Sequence, residues 1–299
     1  MTFSSELKKE LTLMPATTGT LMALVRMNGS LGIGRQLTLS IPTENSAIAQ
    51  YIYKALNELF ELRAELQVYQ KSNLSKNRVY NVFLEENVSD LLSELAIADS
   101  LMLDSGIPEI VKEDELLQAD YLRGAFLSSG TISNIEKPNY QLSIRNVYQE
   151  HAQDLMSLLK NYGLEAKVTE QRGRYLTYLT QAEQIADFIT LIGAMSSRLE
   201  FENQKIVHEM RGLANRQSNF QSANISKTVE ASQQVIKAIQ DLAENDELPT
   251  SYIKLAQLRL DYPEASLMEL GKMHDPILSK SAVNHRFRKI LELAKDFQK

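Results

Sequence analysis

Apolar positions recur at helical spacing in ADYLRGAFLSSGTIS, from Ala119 to Ser133, and the run ends on Gly130 before Thr131 and the apolar Ile132. An earlier stretch, GTLMALVRMNGSLGI from Gly19 to Ile33, has the same outline, with Gly29 at the matching exit. The two exit glycines lie 101 residues apart.

The pattern that follows each glycine also matches. After Gly29 come a strand pair ending in LTLSI, a helix over Ser46–Phe60, and strands AELQVYQK and NRVYNVFL. That helix sets Ile48, Ile52, Ala55, Leu56 and Leu59 on one face. After Gly130 come a strand YQLSIRN, a helix over Gln149–Tyr162, and strands LEAKVTEQ and RYLTYLT. The second helix sets Ala152, Leu155, Met156 and Leu159 on one face. Each half closes with a helix, near Asn87–Ala98 and Gln181–Met195. The pattern predicts an α+β fold in which helix, two strands, helix, two strands, helix occurs twice, in halves of about 15–105 and 106–215. One half alone leaves its first helix and a sheet face uncovered, whereas two halves bury both by packing the first helices on a pseudo-two-fold axis. Ala23, Gly124 and Ala125 are small enough for a close crossing. Two unrelated α+β segments with a chance likeness are the competing reading.

Past Met195 the texture changes. SSRLEFENQKIVHEMRGLANR reads as helix, and QSNFQSANIS as a polar connector, so a boundary is expected near Ser222, between domains 1–221 and 222–299. A helix over Lys227–Ala243 would carry Val229, Val235, Ile236, Ile239 and Leu242. TSYIKLAQLRL follows Pro249 and is followed by Pro263. Ser266-Leu-Met-Glu269 is a capping-box sequence, and its helix is expected to reach His274, offering Leu267 and Leu270 to a core. After the break HDPIL, a helix from Ser279 carries Val283, Phe287, Ile290, Leu291 and Ala294 on its apolar stripe. This is the outline of an all-α helix-turn-helix domain, whose second helix enters the major groove.

Off that stripe lie Ser279, Lys280, Ser281, Asn284, His285, Arg286, Arg288 and Lys289, with no acid before Glu292. Lysine and arginine neutralise phosphates, Ser281 can donate to phosphate or a base edge, Asn284 can read adenine and Arg288 guanine. A solvated basic helix without a ligand is the alternative. The formal net charge of -6 argues against a surface coated with nucleic acid but leaves room for one basic element.

Composition excludes more than it assigns. With no cysteine, disulfides, thiolate nucleophiles and cysteine-ligated metals are out. The four histidines lack metal-pair spacing and read as structural or surface residues. No apolar run is long enough to span a bilayer, and the start, MTFSSELKKELTLM, reads as an amphipathic helix rather than a signal peptide. A cytoplasmic protein without cofactors or a membrane partner is expected.

The repeat resembles the LAGLIDADG homing-endonuclease fold in its single-chain form. With the C-terminal part, nearly all of Phe3 to Ala294 resembles the WhiA family of bacterial regulators, notably in FSSELKKEL, YLRGAFLSSGTIS, NRQSNFQSAN and SKSAVNHRFRK. In the nucleases a metal-binding carboxylate precedes each exit glycine; the matching residues here are Asn28 and Ser129, neither of them ionised. The expected catalytic and metal sites are therefore absent, and Asn28 and Ser129 mark degenerate former catalytic positions. The hairpins still carry Arg35, Lys71, Lys76, Arg78, Arg145, Lys167, Arg172 and Arg174, for DNA or for a partner protein. Asn215, Arg216, Asn219 and Asn224 in the connector resemble the family's polar signature and read as ties of backbone between domains.

The resemblance implies a non-catalytic, nucleoid-associated protein of double-stranded DNA, a bacterial transcriptional regulator with roles in cell division and chromosome segregation, and in sporulation where relatives sporulate. The alternatives are a cell-division adaptor that binds other proteins, with incidental DNA binding, and a residual metal-dependent endonuclease.

Overall fold

The computed structural model describes residues 2–70, 78–97, 105–137 and 139–297, apart from the side chains of Gln221, Asn224 and Phe297. Lys71, Lys76, Ala98 and the side chain of Asn224 lie outside the described residues. The chain forms two compact units, 1–209 and 210–299.

The first unit opens with α1 (Phe3–Leu11), which buries Phe3, Leu7 and Leu11. The first half then runs α2 (Thr18–Asn28), β1 (Ser30–Ile33), β2 (Leu37–Thr43), α3 (Ser46–Phe60), β3 (Glu65–Gln70), β4 (Arg78–Leu84) and α4 (Val88–Glu94). A short α5 (Glu109–Glu113) leads to the second half: α6 (Glu115–Ser129), β5 (Gly130–Ile132), β6 (Leu142–Asn146), α7 (Gln149–Asn161), β7 (Lys167–Gln171), β8 (Arg174–Leu179) and α8 (Ala182–Leu191). The predicted order occurs twice, in two antiparallel sheets of the same topology, β1-β2-β4-β3 and β5-β6-β8-β7. The expected faces of α3 and α7 are buried at Ile48, Ile52, Ala55, Leu56, Ala152, Leu155 and Leu159, whereas Leu59 is 40% exposed at the end of α3.

Helices α2 and α6 cross at the centre, and equivalent residues of the two halves meet there. A Cβ placed on Gly19 would lie 2.9 Å from Cβ of Asp120, and one on Gly124 would lie 2.8 Å from Cβ of Ala23 and 2.3 Å from the Thr20 carbonyl oxygen. Gly19 and Asp120, like Ala23 and Gly124, are separated by the 101-residue repeat offset. Contact between a residue and its own repeat equivalent is the mark of a pseudo-two-fold axis. The exit glycines are required for a different reason: each has an ordinary extended backbone, but a Cβ on Gly29 or Gly130 would sit 2.3 Å from the Val25 carbonyl oxygen or from the Phe126 ring.

Helix α9 spans Met195–Glu244, so Ser222 and the polar stretch read as a connector lie inside a helix. No Gly or Pro interrupts the sequence between Gly212 and Pro249, and Ser, Asn and Gln cost a helix only a few tenths of a kcal/mol each, roughly. The start of α9 is capped from α1, where the Glu10 carboxylate accepts from the backbone N–H groups of Ser196 and Ser197 and from the Ser197 hydroxyl, at 2.8, 2.9 and 2.6 Å.

The second unit adds α10 (Thr250–Asp261), α11 (Leu267–Met273) and α12 (Lys280–Phe297). Its core joins Val235, Ala238, Ile239, Leu242, Leu255, Ala256, Leu270, Val283, Phe287, Ile290 and Ala294. Val229, expected on that stripe, is 42% exposed. The capping box at Ser266 and Glu269 is formed in both directions.

Candidate functional site

Two places concentrate polar chemistry. The first is α12 and the turn before it. Ser279 starts the helix, its hydroxyl accepting from the Ala282 N–H at 3.2 Å. Gly271 lets α11 end close against the incoming chain, since a Cβ there would lie 2.3 Å from the Leu278 carbonyl oxygen. Buried His274 stands in the turn, with Nδ1 2.8 Å from the Pro276 carbonyl oxygen, to which it donates, leaving Nε2 as an acceptor.

With Val283, Phe287, Ile290 and Ala294 fixed in the core, about 100° per residue places Ser281, His285 and Arg288 on the outward face. Ser279, Lys280, Ser281, Asn284, His285, Arg288 and Lys289 are all exposed. Lys280, Asn284 and Arg288 run along one flank, where with Lys227 of α9 and Ser266 they border a cleft of about 610 Å³. The opposite flank is engaged internally: half-buried Arg286 places Nη1 3.5 Å from His274 Nε2, and Lys289 pairs with Glu292 at 2.7 Å. The free basic surface is thus narrower than the full run of polar residues.

A residue that the sequence pattern did not single out supports this unit. Arg259 is buried on the core side of α10, beside Leu255 and Ala256. Its Nη1 lies 3.3, 3.1 and 2.8 Å from the carbonyl oxygens of Tyr262, Pro263 and Ala265, and its guanidinium lies 5.3 Å from the centre of the Phe287 ring. Burial pulls its pKa down from the usual arginine value. A charged residue four positions after Leu255, on the buried register, was the available signal.

The second place is a cleft of about 650 Å³ at the ends of α2 and α6, lined by Arg26, Ser128, Ser129, Arg145, Asn146, Tyr148, His151, Arg172 and Arg174 among others. Asn28 and Ser129 occupy equivalent last helical positions and do equivalent work. Asn28 Nδ2 donates to the Pro42 carbonyl oxygen at 3.2 Å, and the Ser129 hydroxyl donates to that of Arg145 at 2.7 Å. Both acceptors lie on the second strand of their half. The side chain of Asn28 is met across the crossing by Ser128, not by Ser129.

Of the basic hairpin residues, Arg145, Arg172 and Arg174 come together in this cleft with Arg26, while Arg35, Arg78 and Lys167 do not line it. Arg172 and Gly173 form the two-residue connection between β7 and β8, with φ of 53° and 70°, as a type I′ hairpin turn requires. Arg26 is buried, its Nε donating to the Gly106 carbonyl oxygen at 3.3 Å and its guanidinium lying 5.0 Å from the Tyr148 ring centre.

Beneath the cleft runs a buried polar chain. The Tyr121 hydroxyl lies 2.8 Å from His151 Nε2, and His151 Nδ1 lies 2.8 Å from Asn146 Oδ1. Asn146 Nδ2 donates to the Ile144 carbonyl oxygen and the Thr177 hydroxyl, which leaves Oδ1 to accept from Nδ1–H and Nε2 to accept from tyrosine. Burial, with the charge of Arg26 added, pulls the His151 pKa down to about 3, so the ring is neutral at pH 7.

Divalent cations favour oxygen ligands, carboxylates above all. Among the described residues, the cleft lining contains no carboxylate and four guanidiniums. Among the described residues, no group of three or more His, Asp or Glu is placed to hold an ion. The residues at the crossing therefore do not fit the metal centre that the nuclease resemblance implies. No helix among the described residues is long and apolar enough to cross a membrane.

Known proteins resemble this chain in sequence and in fold. Three family models match in order: the WhiA N-terminal LAGLIDADG-like domain at residues 16–98, the WhiA LAGLIDADG-like domain at 118–211 and the WhiA C-terminal HTH domain at 214–294. The "Probable cell division protein WhiA" of Lactococcus lactis subsp. cremoris (strain MG1363) is 59% identical over 302 residues, covering 100% of this chain and 99% of the relative. The protein of that name from Streptococcus thermophilus (strain ATCC BAA-491 / LMD-9) is 44% identical, covering 99% and 100%. The crystal structure of full-length DUF199/WhiA from Thermatoga maritima is similar in fold, with a TM-score of 0.60, 24% identity and 99% coverage of each chain. Two LAGLIDADG-like repeats followed by a helix-turn-helix, with relatives matched from end to end, make this chain a member of the WhiA family.

Proposed function

We propose that this chain is a non-catalytic DNA-binding protein that regulates transcription and acts in cell division and chromosome segregation. Helix α12 is its main DNA reader. The observation that carries the reading is the exposed set Lys280, Ser281, Asn284, His285 and Arg288, which precedes any acid on the helix and is held by a buried core on its other side. Lys280 and Arg288 neutralise phosphates, while Asn284 and Arg288 reach base edges. Ser279 serves through its cap, and Arg286 and Lys289 serve as supporting charges. The name carried by the relatives supports the cell-division part. The lack of a carboxylate among the described residues of the cleft lining supports the non-catalytic part.

Fluorescence anisotropy with duplex DNA across a salt series tests the reading. Lys280→Ala with Arg288→Ala should weaken binding at least tenfold and reduce the salt slope by about 2, one for each lost phosphate contact. Unchanged affinity would remove α12 from the interface. Nicking of supercoiled plasmid in magnesium or manganese, abolished by changes at Asn28 and Ser129, would refute the non-catalytic assignment. Genome-wide mapping with and without residues 222–299, a domain division we also propose, would identify the sites read.

A further inference from the structure

We propose that the cleft at the end of α2 and α6 is a receptor for a nucleoside polyphosphate. Its charge is the reverse of what a metal centre needs. Arginine residues line it from the end of α2 (Arg26), from β6 (Arg145) and from the β7–β8 hairpin (Arg172 and Arg174), and among the described residues its lining holds no carboxylate. Arginine presents paired N–H donors that match two phosphate oxygens at once. Arg145, Arg172 and Arg174 are exposed and so available to a ligand, while buried Arg26 adds a fixed positive field from below. That field also reaches His151, which remains a neutral part of the floor.

The dimensions select a small molecule over a duplex. About 650 Å³ lies within the roughly 300–1,000 Å³ range of small-ligand sites, whereas a DNA backbone is tracked by a stripe of surface charges. The rim adds a place for a base: Tyr148 is 48% exposed and Val147 50% exposed, side by side at the cleft edge. An aromatic ring half open to solvent beside clustered arginines suits a ligand with a flat base at one end and several phosphate charges at the other.

Isothermal titration of the full-length protein with GTP, ATP and inorganic pyrophosphate, with and without magnesium, tests this. Saturable one-to-one binding is expected for all three. Arg172→Asn with Arg174→Gln should weaken each at least tenfold; asparagine tolerates the left-handed backbone at position 172, so the hairpin is retained. Tyr148→Leu should weaken the nucleotides but not pyrophosphate. Lys280→Ala with Arg288→Ala should leave all three unchanged, which separates this site from the proposed DNA reader. Absence of binding at millimolar ligand would overturn the proposal, as would binding indifferent to the hairpin arginines. Loss of duplex affinity with unchanged nucleotide binding in the arginine variant would assign the cleft to DNA instead. A Tyr148→Leu effect equal for all three ligands would overturn the assignment of a base.

Discussion

The hydroxyl of Ser128, near the end of α6, donates to the side-chain oxygen of Asn28, the last residue of α2. Asn28 uses its amide hydrogens on the Pro42 carbonyl oxygen, so one side chain ties both helices to a strand. Aspartate at this position would keep the acceptor and lose the donor, facing Pro42 with a second oxygen. Asn28→Asp should cost about 1–2 kcal/mol in urea unfolding at pH 7. Adding Ser129→Asp should still give no plasmid nicking with magnesium, because four guanidiniums line the cleft beside it.

Gly124 faces Thr20 and Ala23 at the crossing, too close for any added carbon. Gly124→Ala should therefore destabilise the protein by about 2 kcal/mol or more, since the clash at 2.3 Å is with backbone oxygen. Gly212 is the control: it lies inside α9, and a Cβ added there would meet nothing within 4 Å. Gly212→Ala should stabilise by roughly 0.5–1 kcal/mol. Thermal melts of the two variants should move in opposite directions.

His151 makes stability depend on acid. Its folded pKa of about 3 lies below the ordinary value of 6.5, so between these values the unfolded chain takes up a proton that the folded one refuses. The contribution is complete above about pH 6.5 and is lost as pH falls toward 3, with a slope approaching ~1.4 kcal/mol per pH unit. Urea unfolding from pH 7 to pH 4 should show this loss. His151→Gln should be weaker at pH 7 yet flatter across the range, and an unchanged slope would contradict a neutral buried ring.

Arg259 holds the turn between α10 and α11 through three carbonyl oxygens and lies against Phe287 of α12. Arg259→Ala should cost on the order of 2–4 kcal/mol, removing the donor to the Ala265 carbonyl oxygen and leaving a gap beside Phe287, while the Tyr262 and Pro263 oxygens keep the Ala265 N–H and the Ser232 hydroxyl. Circular dichroism should show earlier melting of helix. DNA affinity should fall only to the extent that the folded fraction falls, a pattern distinct from Lys280→Ala with Arg288→Ala, where the melt is unchanged.

The repeat was legible because hydrophobic period and exit glycines recur together, and packing demands that two half-covered sheets share a core. The helix-turn-helix was legible for a local reason, since the capping box at Ser266 and the stripe through Val283 and Phe287 are both written in short-range spacing. The course of α9 was not, because a run of Ser, Asn and Gln looks like a connector although the lack of Gly and Pro lets helix continue through it. Arg26, the Asn28–Ser128 contact and the packing of Arg259 on Phe287 depend on partners far along the chain, and no local pattern reports which distant group a side chain will meet. The gathering of Arg145, Arg172 and Arg174 with Arg26 is likewise a product of tertiary closure.

The unequal pairs on the central axis have a consequence for how the halves relate. If the second half associated with a copy of itself by the same crossing, Asp120 would confront Asp120 where the intact chain offers it Gly19. Two buried-edge carboxylates would then compete for room that one hydrogen atom now leaves free. The halves have diverged into lock and key, and the second is not equipped to stand in for the first.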